Sequence, residues 1–245
     1  MQTGIENAAG AAETGTMNYL AHGYRFLDQP LYVAGTAVPD WLSVVNRKVR
    51  ARVRLVTPVV QATESADVRQ IGQGILQHHK DDDVFHRCEP FMEMEGLVAA
   101  EFRRHMPDQF DHRPGFLGHI VVELMLDASI DAANPLLLDG FYEAMGKVDS
   151  RLVEATVNQM ATQTTDRLAW FIDRFREERF LYDYRQDDGM FFRLNQVLTR
   201  VNLPLMDAAC IVVLGYARQL LKERGHELLR CVESPNGGGD PDSVG

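Results

Sequence analysis

The sequence contains little cysteine and no cysteine motif. Its three cysteines, Cys88, Cys210 and Cys231, are widely spaced and include no Cys-X-X-Cys pair. The chain therefore predicts neither a disulfide framework nor a thiolate zinc site. This cysteine usage fits the reducing cytoplasm best, and we expect the protein to be cytoplasmic.

Long apolar runs and an excess of positive charge are also missing. No stretch of about 18 apolar residues is present to cross a bilayer, so we expect no membrane insertion. The formal net charge is −10 and the isoelectric point is about 5.2, whereas nucleic-acid-binding domains usually present a basic surface. Motifs for nucleotide-binding loops, serine nucleophile elbows and thiol catalysis are absent as well.

Sequences with nothing to bury occur at both ends of the chain. We expect residues 1–16 to be a disordered extension, with Met17 an alternative start, and residues 234–245 to be a disordered tail. Residues 17–233 then form one domain, because a chain of 245 residues that is 45% apolar can bury one large core.

Hydrophobic periodicity within 17–233 is helical, and no convincing β-hairpin or repeat is present. We predict an all-α, single-domain multi-helix bundle with about eight to ten helices. The longest pattern extends from Ser65, a good cap residue, to Phe91. Other predicted helices cover 18–28, 31–45, 93–105, 116–132, 135–148, 150–160, 165–184, 189–202 and 207–231. Pro39 is placed like a first-turn proline, which would put Asp40 near the positive end of a helix dipole.

A polar stretch within the longest helical pattern predicts metal-binding chemistry. At about 100° per residue, His79, Asp83 and His86 fall within an arc of roughly 60° on one helical face. Three neighbouring residues lie on other faces of the same helix, and we expect them to be exposed to solvent: His78, Lys80 and Asp81.

A second helical stretch repeats this chemistry among apolar residues. His119, Glu123 and Asp127 follow one another at four-residue intervals and span an arc of about 80°. An isolated buried charge costs several kcal/mol, so an apolar helix retains ionisable groups only where hydrogen bonds or a cation compensate for burial. We predict that a divalent metal ion does so here.

His22 and Asp40 complete the candidate ligand set. The predicted metal ligands are His22, Asp40, His79, Asp83, His119, Glu123 and Asp127. The predicted catalytic residues are Asp83, His86 and Asp127. Imidazole and carboxylate ligands without thiolates suit Mn, Fe, Zn, Co or Mg. We expect one or two ions, since two ions about 3.5–4 Å apart are the usual arrangement for phosphoester hydrolysis.

Two interpretations without a metal remain open. The stretch from 78 to 87 can be a solvated polar face. The ladder of His119, Glu123 and Asp127 can be a hydrogen-bonded network in the core.

One basic run stands out in this acidic chain. It consists of Arg47, Lys48, Arg50, Arg52 and Arg54. Arginine matches the geometry of phosphate and carboxylate groups, so the run is a candidate docking surface for a phosphate-bearing or acidic partner, with a solvated face as the alternative. Its period of two is strand-like, but a lone short strand would have no partner, and we predict irregular or helical structure.

The order and spacing of the candidate ligands resemble those of the bacterial acyl-carrier-protein phosphodiesterases. The likeness consists of the segment 17–22 (MNYLAH), Asp40 eighteen residues after His22, His79 with Asp83, and an apolar helix ending in Asp127. It extends loosely from Met17 to about Glu233 and includes 189–200 (GMFFRLNQVLTR). Those proteins are divergent HD-type metal-dependent phosphohydrolases, so the resemblance implies an HD-like domain. The metal set that it implies is His22, Asp40, His79, Asp83 and Asp127.

The resemblance also implies an activity and a partner. The reaction would be the release of 4′-phosphopantetheine from acyl carrier protein by a metal-activated water. Acyl carrier proteins are acidic, which would make the basic run a docking surface. The chain departs from the family in having no adjacent His-Asp doublet, and in having Ala128, Ser129 and Ile130 after its last aspartate, so the substrate can differ. The alternatives are an HD-type phosphohydrolase of a small phosphoester or nucleotide, and a non-catalytic metal-binding helical protein that acts through a partner.

Overall fold

Helices form all the regular structure in the computed structural model, which describes residues 18–106 and 113–233. In these ranges the α-helices are α1 (Tyr19–Gly23), α2 (Pro30–Val45), α3 (Val53–Ala62), α4 (Ala66–Phe85), α5 (Glu89–His105), α6 (Arg113–Ala133), α7 (Pro135–Gly146), α8 (Ser150–Met160), α9 (Leu168–Glu178), α10 (Asp187–Arg200) and α11 (Ile211–Glu233). Short 3-10 helices cover Tyr24–Phe26, Phe180–Arg185 and Ala208–Cys210. The prediction of an all-α, single-domain bundle is confirmed. The predicted tails, 1–16 and 234–245, lie outside the described residues.

Local sequence explains several helix ends. The Ser65 hydroxyl accepts a hydrogen bond from the backbone N–H of Val68 and caps α4 as predicted. Asp149 caps α8 in the same way, through the backbone N–H groups of Arg151 and Leu152. None of the helices in the described residues combines the length and apolar character that a membrane span requires.

Two of the predicted helices are divided in the structure. The pattern from 65 to 91 ends as a helix at Phe85, and α5 starts at Glu89 with a proline in its first turn. The pattern from 165 to 184 is interrupted at Arg179, whose φ of 45° is left-handed and ends α9. A 3-10 helix follows Arg179. The apolar periodicity continues through both breaks because the residues on either side still pack into the same core.

The predicted position of Asp40 in a first helical turn is wrong. Helix α2 begins at Pro30, which takes the first-turn role, and Pro39 lies inside the helix. Asp40 is therefore in the third turn, where the dipole of the helix N-terminus has faded. Packing overrides the local signal here, since the helix buries Val38, Trp41 and Leu42 around this point.

Helices α2 and α4 cross closely, and this crossing positions the candidate site. A Cβ atom on Gly35 would lie 2.9 Å from the Cα of Gly74 and would clash with the carbonyl oxygen of Ile71. Only glycine at these two positions allows so close an approach. The crossing turns the later part of α2, with Asp40, toward the later part of α4, with His78.

Candidate metal centre

Three side chains from two helices converge at the core of the bundle. We call His22, His78 and Asp82 the inner cluster. One ligand atom from each lies within 4.8 Å of the others. The Nε2 atom of His22 is 3.3 Å from Asp82 Oδ1, and the Nε2 atom of His78 is 3.2 Å from Asp82 Oδ2. Two imidazoles and a carboxylate at these separations form a donor set that suits a divalent ion.

Hydrogen bonds fix the orientation of both imidazoles. His78 Nδ1 is 2.9 Å from the backbone oxygen of Thr36, and since that oxygen can only accept, Nδ1 carries the proton. His22 Nδ1 is 3.3 Å from Asp81 Oδ2, and Asp81 is itself held by Arg25 and Gln77. Histidine ligands of metals typically donate their second ring N–H to a carbonyl or carboxylate in this way. Both Nε2 atoms thus remain directed at Asp82.

Orphaned polar atoms in the inner cluster fit a bound ion. His22 Nε2 and Asp82 Oδ1 are buried atoms that have no well-directed hydrogen bond within the described residues, although they are 3.3 Å apart. Buried polar atoms normally have a partner. A cation between them would satisfy both, so the residues present fit a metal.

Without a metal, the charges of the inner cluster stabilise one another. Burial lowers the pKa of His22, but contacts with Asp81 and Asp82 outweigh burial and raise this pKa to about 10. The pKa of His78 is also raised, because Asp82 outweighs burial. The pKa of Asp82 is lowered well below its usual range, because the two histidines outweigh its burial. Metal binding must therefore displace protons from the histidines.

Two further buried carboxylates adjoin the inner cluster. Burial raises the pKa of Asp40 to about 7, and its charge interacts with His78, Asp82 and His22. Burial likewise raises the pKa of Asp127 to about 7, although hydrogen bonds from α1 oppose this. Asp127 accepts the backbone N–H groups of Leu20 at 3.0 Å and Ala21 at 2.8 Å. It therefore caps the helix that carries His22, in place of a local cap residue.

A second group of ligands lies one helical turn after Asp82, at the end of α4, and at least one turn before Asp127 on α6. We call His86, His119 and Glu123 the outer cluster, and one ligand atom of each lies within 4.8 Å of the others. Glu123 Oε1 is 2.8 Å from His86 Nε2 and 3.2 Å from His119 Nε2. His119 Nδ1 is 3.5 Å from Glu95 on α5. Both imidazoles are partly exposed, whereas Glu123 is buried, so this group is reached more easily from solvent.

The electrostatics of the outer cluster repeat those of the inner one. Burial lowers the pKa of His119, but Glu123 and Glu95 outweigh burial and raise it to about 10. The pKa of Glu123 is lowered, because the two histidines outweigh its burial. Its second oxygen, Oε2, is buried and has no hydrogen-bond partner in the part of the chain that is described.

The structure brings together a different histidine–aspartate pair from the one that helical phase predicted. His79 Nε2 is 2.7 Å from the backbone oxygen of Ala51, outside the inner cluster. Asp83 is exposed and pairs with Arg87. The predicted solvent exposure of His78 and Asp81 is wrong, since each is only 2% exposed. Of the predicted set, His22, Asp40 and Asp127 lie in or beside the inner cluster. His86, His119 and Glu123 meet in the outer one.

A signal in the sequence could have selected the correct pair. The segment HHKDDD contains two pairs with four-residue spacing, His78 with Asp82 and His79 with Asp83, and spacing alone does not distinguish them. The apolar stripe of α4, which consists of Ile71, Ile75 and Phe85, distinguishes the two pairs. His78 and Asp82 continue that stripe at helical intervals.

The basic run forms the connection between α2 and α3 and the start of α3. The stretch 46–52 is irregular, as predicted. The exposed members are Arg47, Lys48, Arg52 and Arg54. Arg50 is half-buried, and its backbone pairs with Thr162. Docking by this run stays a prediction.

Comparison with protein-family models, curated proteins and solved structures found no match for this chain. The resemblance to acyl-carrier-protein phosphodiesterases therefore depends on the residues and spacings described above.

Proposed function

We propose that the protein is a divalent-metal-dependent phosphodiester hydrolase with an HD-like arrangement of ligands, and that it acts in the cytoplasm. The observation that carries this proposal is the convergence of His22, His78 and Asp82, whose ligand atoms lie within 4.8 Å of one another. Asp40 and Asp127 would complete the set. The resemblance implies a ligand pair with four-residue spacing, His79 and Asp83. The inner cluster contains a pair with the same spacing one residue earlier, His78 and Asp82.

The chain would prepare this site for one ion, and for a second at the outer cluster. A divalent ion supplies Lewis-acid activation of a water molecule and of a phosphoryl oxygen. Asp81 and the Thr36 carbonyl hold the imidazoles of His22 and His78, and Asp127 holds α1 in place. The side chain of Asp82 is 23% exposed, so Asp82 is the member of the inner cluster that solvent reaches.

As substrate we propose the 4′-phosphopantetheine arm of acyl carrier protein. The exposed members of the basic run would dock the acidic carrier, because opposite charges speed and orient association. A small phosphoester or nucleotide is the alternative. Neutralising Arg47, Lys48, Arg52 and Arg54 would lower activity on the carrier protein but leave hydrolysis of a small phosphodiester unchanged. A loss on both substrates would contradict docking by this run.

The test measures bound metal and phosphodiesterase activity on the same preparations. Protein purified without added metal is analysed for Mn, Fe, Zn and Mg, then assayed with bis(p-nitrophenyl) phosphate and holo acyl carrier protein. Asp82→Asn should lose metal and activity, whereas Asp83→Asn, next to it on the exposed face, should keep both. Activity that survives in Asp82→Asn, or in protein stripped of metal, would overturn the proposal.

A non-catalytic role is the second candidate, and one observation favours it. The carboxylates beside His22 and His119 raise the pKa of both histidines to about 10 and neutralise the protonated rings, which a hydrogen-bonded core network also requires. This candidate predicts that excess Mn, Fe or Zn neither binds nor changes the free energy of unfolding.

A further inference from the structure

A cavity of about 470 Å³ lies between α9, the 3-10 helix Phe180–Arg185 and α10, with Tyr19 of α1 in its wall. Its volume falls within the range of roughly 300–1,000 Å³ that is typical of small-molecule sites. Six aromatic side chains line it: Tyr19, Trp170, Phe171, Phe175, Phe180 and Tyr184. Such a wall favours an apolar or aromatic ligand, because rings supply large contact areas and stacking geometry.

The charged side chains of the cavity are mainly positive. Arg174, Arg193 and Arg200 line it, against a single acid, Glu178. Arg174 is already paired with Glu178. Arg193 is paired with Asp183 at 2.6 Å, and its guanidinium lies 5.2 Å from the centre of the Phe180 ring. Planar guanidinium groups beside aromatic rings suit a ligand that combines an apolar body with an anionic head.

Arg200 and Arg47 lie close together beside the cavity. Burial lowers the pKa of Arg200 and so does the charge of Arg47, whereas Tyr19, Tyr184 and Asp40 act in the opposite direction. Arg47 also donates a hydrogen bond to the backbone oxygen of Arg200 at 3.4 Å. An anion bound beside Arg200, Arg47 and Arg193 would be attracted by all three guanidinium groups.

A buried hydroxyl and an exposed ring add to the case for a ligand. Tyr184 is 1% exposed, and its hydroxyl has no hydrogen-bond partner among residues 18–106 and 113–233. A buried tyrosine hydroxyl normally has a partner, and Tyr184 lines the cavity, so its hydroxyl is a candidate donor to a bound ligand. Trp170 is 57% exposed at the same cavity, where a bound ligand would cover it.

We propose that this cavity binds a small amphiphilic anion, in which a ring system or branched apolar group lies among the aromatic side chains and a carboxylate, sulfonate or phosphate contacts Arg193 and Arg200. The site is separate from the metal clusters, and the proposal does not depend on hydrolase activity. Tyr19 connects the two regions, since it precedes the residues of α1 that Asp127 caps. A ligand in the cavity therefore contacts the helix that carries His22.

The test uses 1-anilinonaphthalene-8-sulfonate as the anionic probe and N-phenyl-1-naphthylamine as its neutral counterpart. We expect saturable sulfonate binding with energy transfer from tryptophan. Trp170→Phe should reduce this transfer, and the remainder should come from Trp41, which packs against the wall residue Phe175 with ring centroids 5.4 Å apart. The double variant Arg193→Met, Arg200→Met should weaken binding by about tenfold or more. Arg151→Met, an exposed arginine on α8, is the matched control and should bind like the wild type.

Tyr184→Phe tests the site without removing a charge. It should weaken sulfonate binding several-fold while the protein stays folded, as checked by circular dichroism. Equal affinity for the neutral probe, or an equal loss in Arg151→Met, would overturn the proposal. Sedimentation with phosphatidylglycerol vesicles that requires Trp170 would assign the surface to membrane lipid and would overturn it too.

Discussion

His78 and Asp82 are one helical turn apart on α4, with His78 Nε2 3.2 Å from Asp82 Oδ2, and both face His22 in the core. The next pair along the helix has the same spacing but a different environment. His79 contacts a backbone oxygen, and Asp83 is exposed beside Arg87. The chain thus contains, within six residues, a candidate ligand pair and a matched pair outside the cluster.

The adjacent histidines provide the first prediction. His78→Gln should weaken Mn²⁺ or Zn²⁺ binding by at least about a hundredfold, since changes to supporting groups alone typically cost ten- to a hundredfold. His79→Gln should change the affinity little, because His79 lies outside the inner cluster. Isothermal titration calorimetry of both variants, with matched thermal unfolding curves, measures the difference. Equal effects in the two variants would mean that His78 is not a ligand.

The outer cluster provides the second prediction. Glu123→Gln should remove a second, weaker ion and leave the affinity for the first ion within a few-fold of the wild type. The second ion is weaker because both of its histidines are partly exposed and Glu123 already bonds them. Equilibrium dialysis with excess metal should show the stoichiometry falling from two ions to one. Loss of both ions in this variant would indicate one shared site instead.

The metal-free protein should become less stable as pH rises from about 5 to about 9, because the folded state then binds more protons than the unfolded state. The pKa values of His22 and His119 are raised to about 10, so their contribution is complete below 6.5 and is lost as pH rises through about 10. The pKa values of Asp40 and Asp127 are raised to about 7, so ionising them costs stability between 3.8 and about 7. The signs agree.

Urea unfolding in EDTA at several pH values measures this trend. Excess metal should reduce it, because the ion takes the place of the displaced protons. The pKa values of Asp82 and Glu123 are lowered, so these two carboxylates change stability only at pH values below the usual carboxylate range and not between pH 5 and 9. Stability that rises with pH in EDTA would contradict the protonation states derived from the two clusters.

The sequence was sufficient for the fold class and for most helices, because these depend on periodicity and caps that are local. Ser65 caps α4 where predicted. The sequence was insufficient for the start of the helix predicted over 165–184, since α9 begins at Leu168. Arg179 adopts a left-handed conformation that its residue type does not favour. Such a break is imposed by tertiary packing and leaves no clear local signal.

The site was predicted in part for a related reason. Residue types and spacing identified His22, Asp40 and Asp127, which lie far apart in the chain and meet in the core. The choice between His78 and His79 depends on a rotation of about 100°, which local spacing does not fix. The role of Asp127 as the cap of α1 depends on a contact across more than a hundred residues. Sequence alone gives no measure of such a contact.

The crossing of α2 and α4 provides the last prediction. Gly35→Ala and Gly74→Ala should each lower the free energy of unfolding by about 1–3 kcal/mol or more, because the added methyl group meets backbone atoms that cannot rotate away. Gly96→Ala is the matched control: Gly96 lies inside α5 with nothing within 4 Å of an added Cβ. This change should stabilise the protein by about 0.5–1 kcal/mol, as alanine favours helix more than glycine does.

The same variants test whether the crossing sets the metal site. If the approach of α2 to α4 places Asp40 and the Thr36 carbonyl beside His78, Gly74→Ala should weaken metal binding under conditions where the variant is still folded. Gly96→Ala should leave binding unchanged. Denaturant unfolding and metal titration on the same samples separate the two effects. Full metal affinity in a destabilised Gly74→Ala would show that the inner cluster tolerates a wider crossing, and that its geometry is set within α4 and α1.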